Sequence, residues 1–336
     1  NKWILEHGYQ NKIAMKRGDK PLSIEEIRDQ NAIAQRVNQR ALKEMHDRFD
    51  NEGASAKSHM FIPTKKKGDD TDYNLHKELK KERISYHKDK MQGSYLGPSF
   101  NDSEIEKSLN ILGAKYTKLP EEELLFATAK ELSQEKTIGW FQGRMEFGPR
   151  ALGSRSIIAD PRSDKMQKLL NLKIKFRESF RPFAPSVLRE DLSDWFEINC
   201  DSPYMLLVAD INKSRRIEMT TEDKKLFGIE KLNVKRSEIP AITHVDYSAR
   251  IQTVHKETNP KYYQLIKNFK KITNCPILIN TSFNVRGEPI VCTIQDAFRC
   301  FMGTDLDMLI CGNFILYKER QNIQLKADYK NKFTLD

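Results

Sequence analysis

From Met91 onward, short apolar runs alternate with stretches of helical periodicity, and this alternation restricts that part of the chain to an α/β fold with a mixed, twisted sheet and flanking helices. Residues 137–141, 156–159, 204–209, 244–254, 276–279 and 308–317 read as strands. Asn101-Asp102-Ser103-Glu104 is suited to cap a helix reaching about Leu112, where Gly113 fits the C-terminus. Pro120 opens a second helix to Leu132, with three glutamates in the first turn that complement the helix dipole. Residues 165–172, 260–272 and 293–302 give the remaining helices, and the charged stretch 212–238 reads as a surface insertion.

Before Met91 charge dominates. Ser23 as N-cap and Glu26 closing a capping box start a helix, and Ile24, Ile27, Ala34, Val37, Ala41 and Met45 then recur at helical spacing to about Phe49. This predicts one amphipathic helix with a thin apolar stripe, suited to docking or to half of a hairpin. Residues 50–90, with Lys65-Lys66-Lys67-Gly68-Asp69-Asp70, hold few apolar anchors and read as a linker or poorly ordered arm. The expected organisation is a charged helical segment and linker over 1–90, a compact domain over 91–320 and a polar tail over 321–336. The first residue is Asn1 rather than Met, so a start further upstream is expected.

The 336 residues carry a net charge of +10, which favours polyanionic or phosphorylated partners. Nucleic acid is one such partner; a nucleotide with a phosphate substrate is another. In residues 50–90 acidic residues are interleaved with the basic ones and aromatics are sparse, which argues against a nucleic-acid arm. No apolar run reaches the roughly 20 residues of a membrane span. Five cysteines without a Cys-x-x-Cys pair argue against a disulfide framework or structural zinc and fit a reducing, cytoplasmic setting.

Three loops carry the chemistry. The first, Gln142 to Ser156, holds three glycines that allow close backbone approach and the arginines Arg144, Arg150 and Arg155, whose planar forks match phosphate or carboxylate. It is neither a Walker A loop nor a Gly-x-Gly-x-x-Gly turn, and a structural turn with surface-paired arginines is the competing reading. The second, Lys173 to Pro185, sets four cations among three phenylalanines, which suits a desolvated anion site. Lys175 and Arg181, six positions apart, are expected to face one anion from two sides. The third, Asn280-Thr281-Ser282-Phe283-Asn284-Val285-Arg286-Gly287-Glu288-Pro289, follows a buried strand, where α/β folds place ligand loops, and its amides and hydroxyls could read a small planar group. His244 to Arg250 adds a fourth polar cluster.

The runs Gly139 to Gly153, Phe180-Arg181-Pro182-Phe183-Ala184-Pro185 and Asn280 to Pro289 resemble the C-terminal region of O-carbamoyltransferases of the NodU/CmcH type, over about Met91 to Lys318. The resemblance implies a YrdC-like domain that combines ATP, with Mg²⁺, and carbamoyl phosphate into carbamoyl-adenylate. It implies Lys175, Arg181, Arg250 and Arg286 as phosphate and carbamoyl ligands, with Asn280, Ser282 and Asn284 orienting the nucleotide or the carbamoyl group. In that family a preceding ATPase-like domain with a metal held by histidine and aspartate passes the carbamoyl group to a hydroxyl acceptor. Residues 1–90 show no counterpart: His7, His46, His59, His76 and His87 are scattered. The second step is therefore expected to need a domain outside this sequence. Two other readings stay open at this point, a basic RNA- or nucleotide-binding protein and an inactive interaction module.

Overall fold

The computed structural model describes residues 91–326 apart from 228–229 and 232–233, together with Tyr329. The helix expected over 23–49 and the linker over 50–90 lie outside the described residues. The described residues fall within a compact unit that begins at Lys88.

The core is a mixed sheet of nine strands: β1 (Thr117–Lys118), β2 (Ile138–Phe141), β3 (Arg155–Ala159), β4 (Ala184–Leu188), β5 (Leu207–Asp210), β6 (Ser248–Val254), β7 (Ile277–Ser282), β8 (Met308–Cys311) and β9 (Phe314–Tyr317). They lie in the order β1-β9-β8-β2-β3-β7-β4-β6-β5. β2 with β8 and β4 with β6 pair in parallel; every other neighbouring pair is antiparallel. Strands β2, β3, β4 and β8 are buried at every residue, as strands covered on both faces must be.

The longer helices are α1 (Asp102–Ile111), α2 (Glu121–Ser133), α6 (Pro260–Thr273) and α7 (Ile294–Gly303); the short α3 (Met166–Leu169), α4 (Leu192–Trp195) and α5 (Thr221–Lys225) lie between β3 and β6. Helix α6 rests on α2, and α7 meets α1 and the sheet at β2 and β8. The cap expected at Asn101–Glu104 is present, and it is reciprocal: the Asn101 side chain accepts from the Glu104 amide at 3.0 Å, and the Glu104 carboxylate accepts from the Asn101 amide at 2.8 Å. Replacing Asn101 by alanine is expected to lower stability by about 1 kcal/mol. A melting temperature unchanged in Asn101→Ala would contradict this.

Three local expectations are corrected. Residues 308–317 form a hairpin rather than one strand: Cys311 pairs with Phe314 across Gly312-Asn313, and Gly312 takes φ +54°. The 165–172 helix is α-helical only over Met166–Leu169 and then widens into a π-helical turn, Leu170–Ile174. The apolar strand expected at 204–209 is β5, an edge strand in which Leu207 and Val208 are exposed. Among the described residues no helix is long and apolar enough to cross a membrane.

Candidate functional site

The register brings the sequence-marked loops to one end of the sheet. Ser156 at the start of β3 pairs with Ser282 at the end of β7, and Ala184 at the start of β4 pairs with Asn280. The loop before β3, the loop before β4 and the loop after β7 therefore emerge side by side. Arg250 on β6 stands two residues before the Ser186–Gln252 pair, as Ala184 does on β4, so it reaches the same end.

Each loop is held by its own polar scaffold. In the first, the buried Glu146 carboxylate accepts from the amides of Leu152 (2.6 Å), Ser154 (2.7 Å) and Arg155 (3.1 Å), folding residues 146–155 around itself. Gly153 sits at φ +104°, and a Cβ there would lie 2.3 Å from the Tyr262 ring, so both the backbone and the close approach require glycine. The Tyr95 hydroxyl (2.8 Å) and Gln252 Nε2 (2.7 Å) both donate to the Leu152 carbonyl. In the second loop the buried Asn171, on the π-helical turn, donates to the carbonyls of Ser179 (3.1 Å) and Arg181 (2.7 Å). Phe176 there takes φ +49°, an uncommon conformation for an aromatic residue. Such a turn and such an outlier are frequent where a loop must aim a side chain.

The side chain so aimed is Arg177. With Arg150, Arg250, Phe183, Met205, Asn280, Thr281 and Ser282 it lines a cavity of ≈ 190 Å³ whose wall contains no carboxylate. Nε of Arg150 and Nε of Arg250 are buried without hydrogen-bond partners. Burial, and then the neighbouring Arg150, lower the pKa of Arg250. Burial and the charge of Arg181 bring Arg177 down to about 10. Guanidiniums gathered around a small hollow, two of them close enough to repel each other, are stabilised by an anion that enters it. Asn280, 1% exposed, donates through Nδ2 to Gln252 Oε1 (2.8 Å) and the Ala151 carbonyl (3.2 Å), and its Oδ1 is buried without a donor. The residues of the cationic wall are thus joined by Asn280, which carries a buried, unpaired neutral acceptor.

Of the ten residues marked in the sequence, Arg150, Arg250, Asn280 and Ser282 line this cavity. Lys175 lies beneath the third loop: Nζ donates to the Ser282 carbonyl, to Asn284 Oδ1 (2.8 Å) and to the Asn284 carbonyl (2.9 Å). Burial, then the charge of Arg177, push Lys175 down to about 7, against the opposing charge of Glu288. Asn284 in turn donates to the Glu288 carbonyl at 2.6 Å. Arg155 is fully buried; it donates to the carbonyls of Gln142 (2.8 Å) and Pro98 (3.1 Å) and lies 3.6 Å from the Phe141 ring centroid. Arg144 is exposed. Arg181 pairs with Glu178 at 3.0 Å, and Arg286 reaches the same carboxylate at 3.7 Å. Sequence reasoning passed over Arg177, although its position between Phe176 and Phe183 is the pattern of a guanidinium held against apolar walls. Glu146 and Gln252 carried no signal of their own.

A second cavity, of ≈ 620 Å³, opens at the opposite end of β8. It mixes Glu131, Asp305, Asp307 and Glu319 with Lys136, Lys318, Arg320 and Lys326 and touches none of the three loops, so its charges balance within the protein.

The family model for the carbamoyltransferase C-terminus matches residues 129–318, which include every residue of the smaller cavity. An uncharacterized protein of Synechocystis is 57% identical over 265 residues, covering 78% of this chain and 43% of that protein. Nodulation protein NolO of Bradyrhizobium diazoefficiens is 39% identical over 241 residues, covering 70% of this chain and 40% of that protein. Nodulation protein U of Rhizobium fredii is 33% identical over 194 residues, 58% of this chain and 28% of that protein. The chain spans 43% and 40% of the lengths of the first two of these relatives.

Proposed function

This chain belongs to the carbamoyltransferase C-terminus family, and from that premise we propose that its cavity binds carbamoyl phosphate and, with ATP, forms carbamoyl-adenylate. The observation that carries the reading is the pairing of Arg150, Arg177 and Arg250 with the unsatisfied Oδ1 of Asn280. The guanidiniums take the phosphate, which would be repelled by Asn280 Oδ1; that oxygen accepts instead from the carbamoyl NH₂. A hollow of ≈ 190 Å³ suits a small acyl phosphate, so the nucleotide base and ribose would lie outside it, over the loop rims.

The product holds a single phosphate between the carbamoyl group and adenosine, so the donor's own phosphate must leave first. Water cleaves carbamoyl phosphate to carbamate and phosphate. A carbamate oxygen then bonds to the α-phosphorus of ATP as the bond to the β-phosphate oxygen breaks, and pyrophosphate departs. Both steps gather charge on phosphoryl oxygens, which the preorganised guanidiniums stabilise. Among the described residues no group of three histidine, cysteine, aspartate or glutamate side chains gathers for a metal ion, and the cavity wall offers no carboxylate. The donor set does not fit a Mg²⁺ held by the protein at this site, and in this reading Mg²⁺ arrives on the ATP phosphates as part of the substrate. Passage of the carbamoyl group to a hydroxyl acceptor is assigned to a further domain, in keeping with the greater length of the relatives.

With purified chain, ATP and Mg²⁺, pyrophosphate release is expected to depend on carbamoyl phosphate. Equal release with and without it would overturn the adenylation reading.

A further inference from the structure

The cavity has no carboxylate in its wall, but one adjoins a wall residue along the chain. Glu178 follows Arg177 directly, on the loop pinned by Asn171. One carboxylate oxygen lies 3.0 Å from Arg181 Nε on the same loop, and the other lies 3.7 Å from Arg286 Nη1 on the loop after β7. Glu178 thus joins two of the three site loops through one carboxylate, and it is 41% exposed. Its own backbone amide, with Arg181, Arg286 and Arg177, holds its carboxyl below the ordinary range, so it is ionised at neutral pH.

We propose that Glu178 is a displaceable internal counter-ion: it occupies Arg181 and Arg286 while the rim is empty and yields them to the pyrophosphate portion of a nucleotide bound at the cavity. The inference rests on the functional reading above and adds to it a residue that opposes binding. Three features support it. The two arginines come from different loops and converge on a carboxylate rather than on each other. At ≈ 190 Å³ the cavity is too small for a whole nucleotide, so part of a bound nucleotide has to lie outside it. Exposed pairs of this kind are weak, and a polyphosphate carrying several charges can displace a single carboxylate. The exchange keeps both guanidiniums paired before and after binding, and it sets a threshold that favours polyphosphates over single-charge anions.

The test is calorimetric titration of inorganic pyrophosphate into the wild-type chain, Glu178→Gln and Glu178→Asp, with carbamoyl phosphate titrated into the wild type alongside. The amide keeps the shape and removes the charge, and the site is exposed enough for the fold to survive; matching melting curves check that. Glu178→Gln is expected to bind pyrophosphate roughly three- to tenfold more tightly at low salt, the scale set by two exposed ion pairs. The gain should shrink as salt rises, and Glu178→Asp should stay close to wild type. A residue with a merely structural role would lose affinity on substitution, not gain it. If the wild type binds carbamoyl phosphate but Glu178→Gln binds pyrophosphate equally or more weakly, the counter-ion role is overturned and the functional reading stands. If the wild type binds neither ligand, both fall.

Discussion

Arg250→Lys is expected to weaken carbamoyl phosphate binding by about 10-fold or more while leaving the fold intact. The lysine keeps the positive charge, so only geometry and desolvation are at issue. Arg250 projects from β6 beside Arg150, and its Nε is buried with no hydrogen-bond partner. An ammonium cannot present two parallel donors to a phosphate, and the variant would forfeit the bidentate contact. Losing a charge-assisted hydrogen bond costs about 1.5–3 kcal/mol, roughly 10- to 150-fold in affinity. Arg144→Lys is the control: Arg144 is exposed and outside the cavity wall, so its change should leave affinity within about twofold. Calorimetric titration of both variants decides the matter, and equal affinities would place the anion somewhere other than against β6. Arg181→Lys is expected to matter less for carbamoyl phosphate, although Arg181 is one of the ligands the resemblance implies, because it is half exposed and engaged by Glu178 at 3.0 Å.

The sequence marks Arg181 and Arg250 alike and does not rank them, which is one limit of what it makes legible. The α/β class, the four longer helices and most strands follow from periodicity, because burial on one face repeats along the chain wherever the element is regular. Strand β4 is not among the strands read from the sequence, and Pro185 within it is an edge-strand signal. It lies in the sheet interior all the same: its pairing with β6 begins at Ser186, past the proline, so no missing N–H interrupts that ladder. The hairpin at Gly312 was carried by a Gly-Asn dipeptide inside an apolar run and was outweighed by that run. For the site, the sequence marks the loops but not the direction of each arginine. Arg150 and Arg155 belong to one loop and look alike as letters; Glu146 gathers the amides of 152, 154 and 155, and Arg155 turns inward onto backbone carbonyls while Arg150 reaches the cavity. Such choices are made by partners distant in sequence, and a single chain read alone does not display them.

Acetyl phosphate is expected to bind about 5- to 150-fold more weakly than carbamoyl phosphate, and this comparison tests the most specific part of the site. The two ligands differ by a methyl group in place of NH₂, so the phosphate contacts and the overall size are retained. The orientation of the Asn280 amide follows from its partners. Gln252 Nε2 donates to the Leu152 carbonyl at 2.7 Å, which turns Gln252 Oε1 toward Asn280. Asn280 must therefore present Nδ2 to that oxygen and to the Ala151 carbonyl, leaving Oδ1 as the atom without a donor. With carbamoyl phosphate the NH₂ satisfies that acceptor; with acetyl phosphate a methyl group covers it and water cannot reach it. An unsatisfied buried acceptor costs about 1–3 kcal/mol, which sets the expected ratio. Changing the ligand rather than the residue keeps the Ser186–Gln252–Asn280 hydrogen-bond chain intact, so protein stability does not enter the comparison. Equal affinities for the two acyl phosphates would mean that Asn280 Oδ1 does not face the acyl group. The cavity would then be a phosphate site without selectivity for a carbamoyl donor.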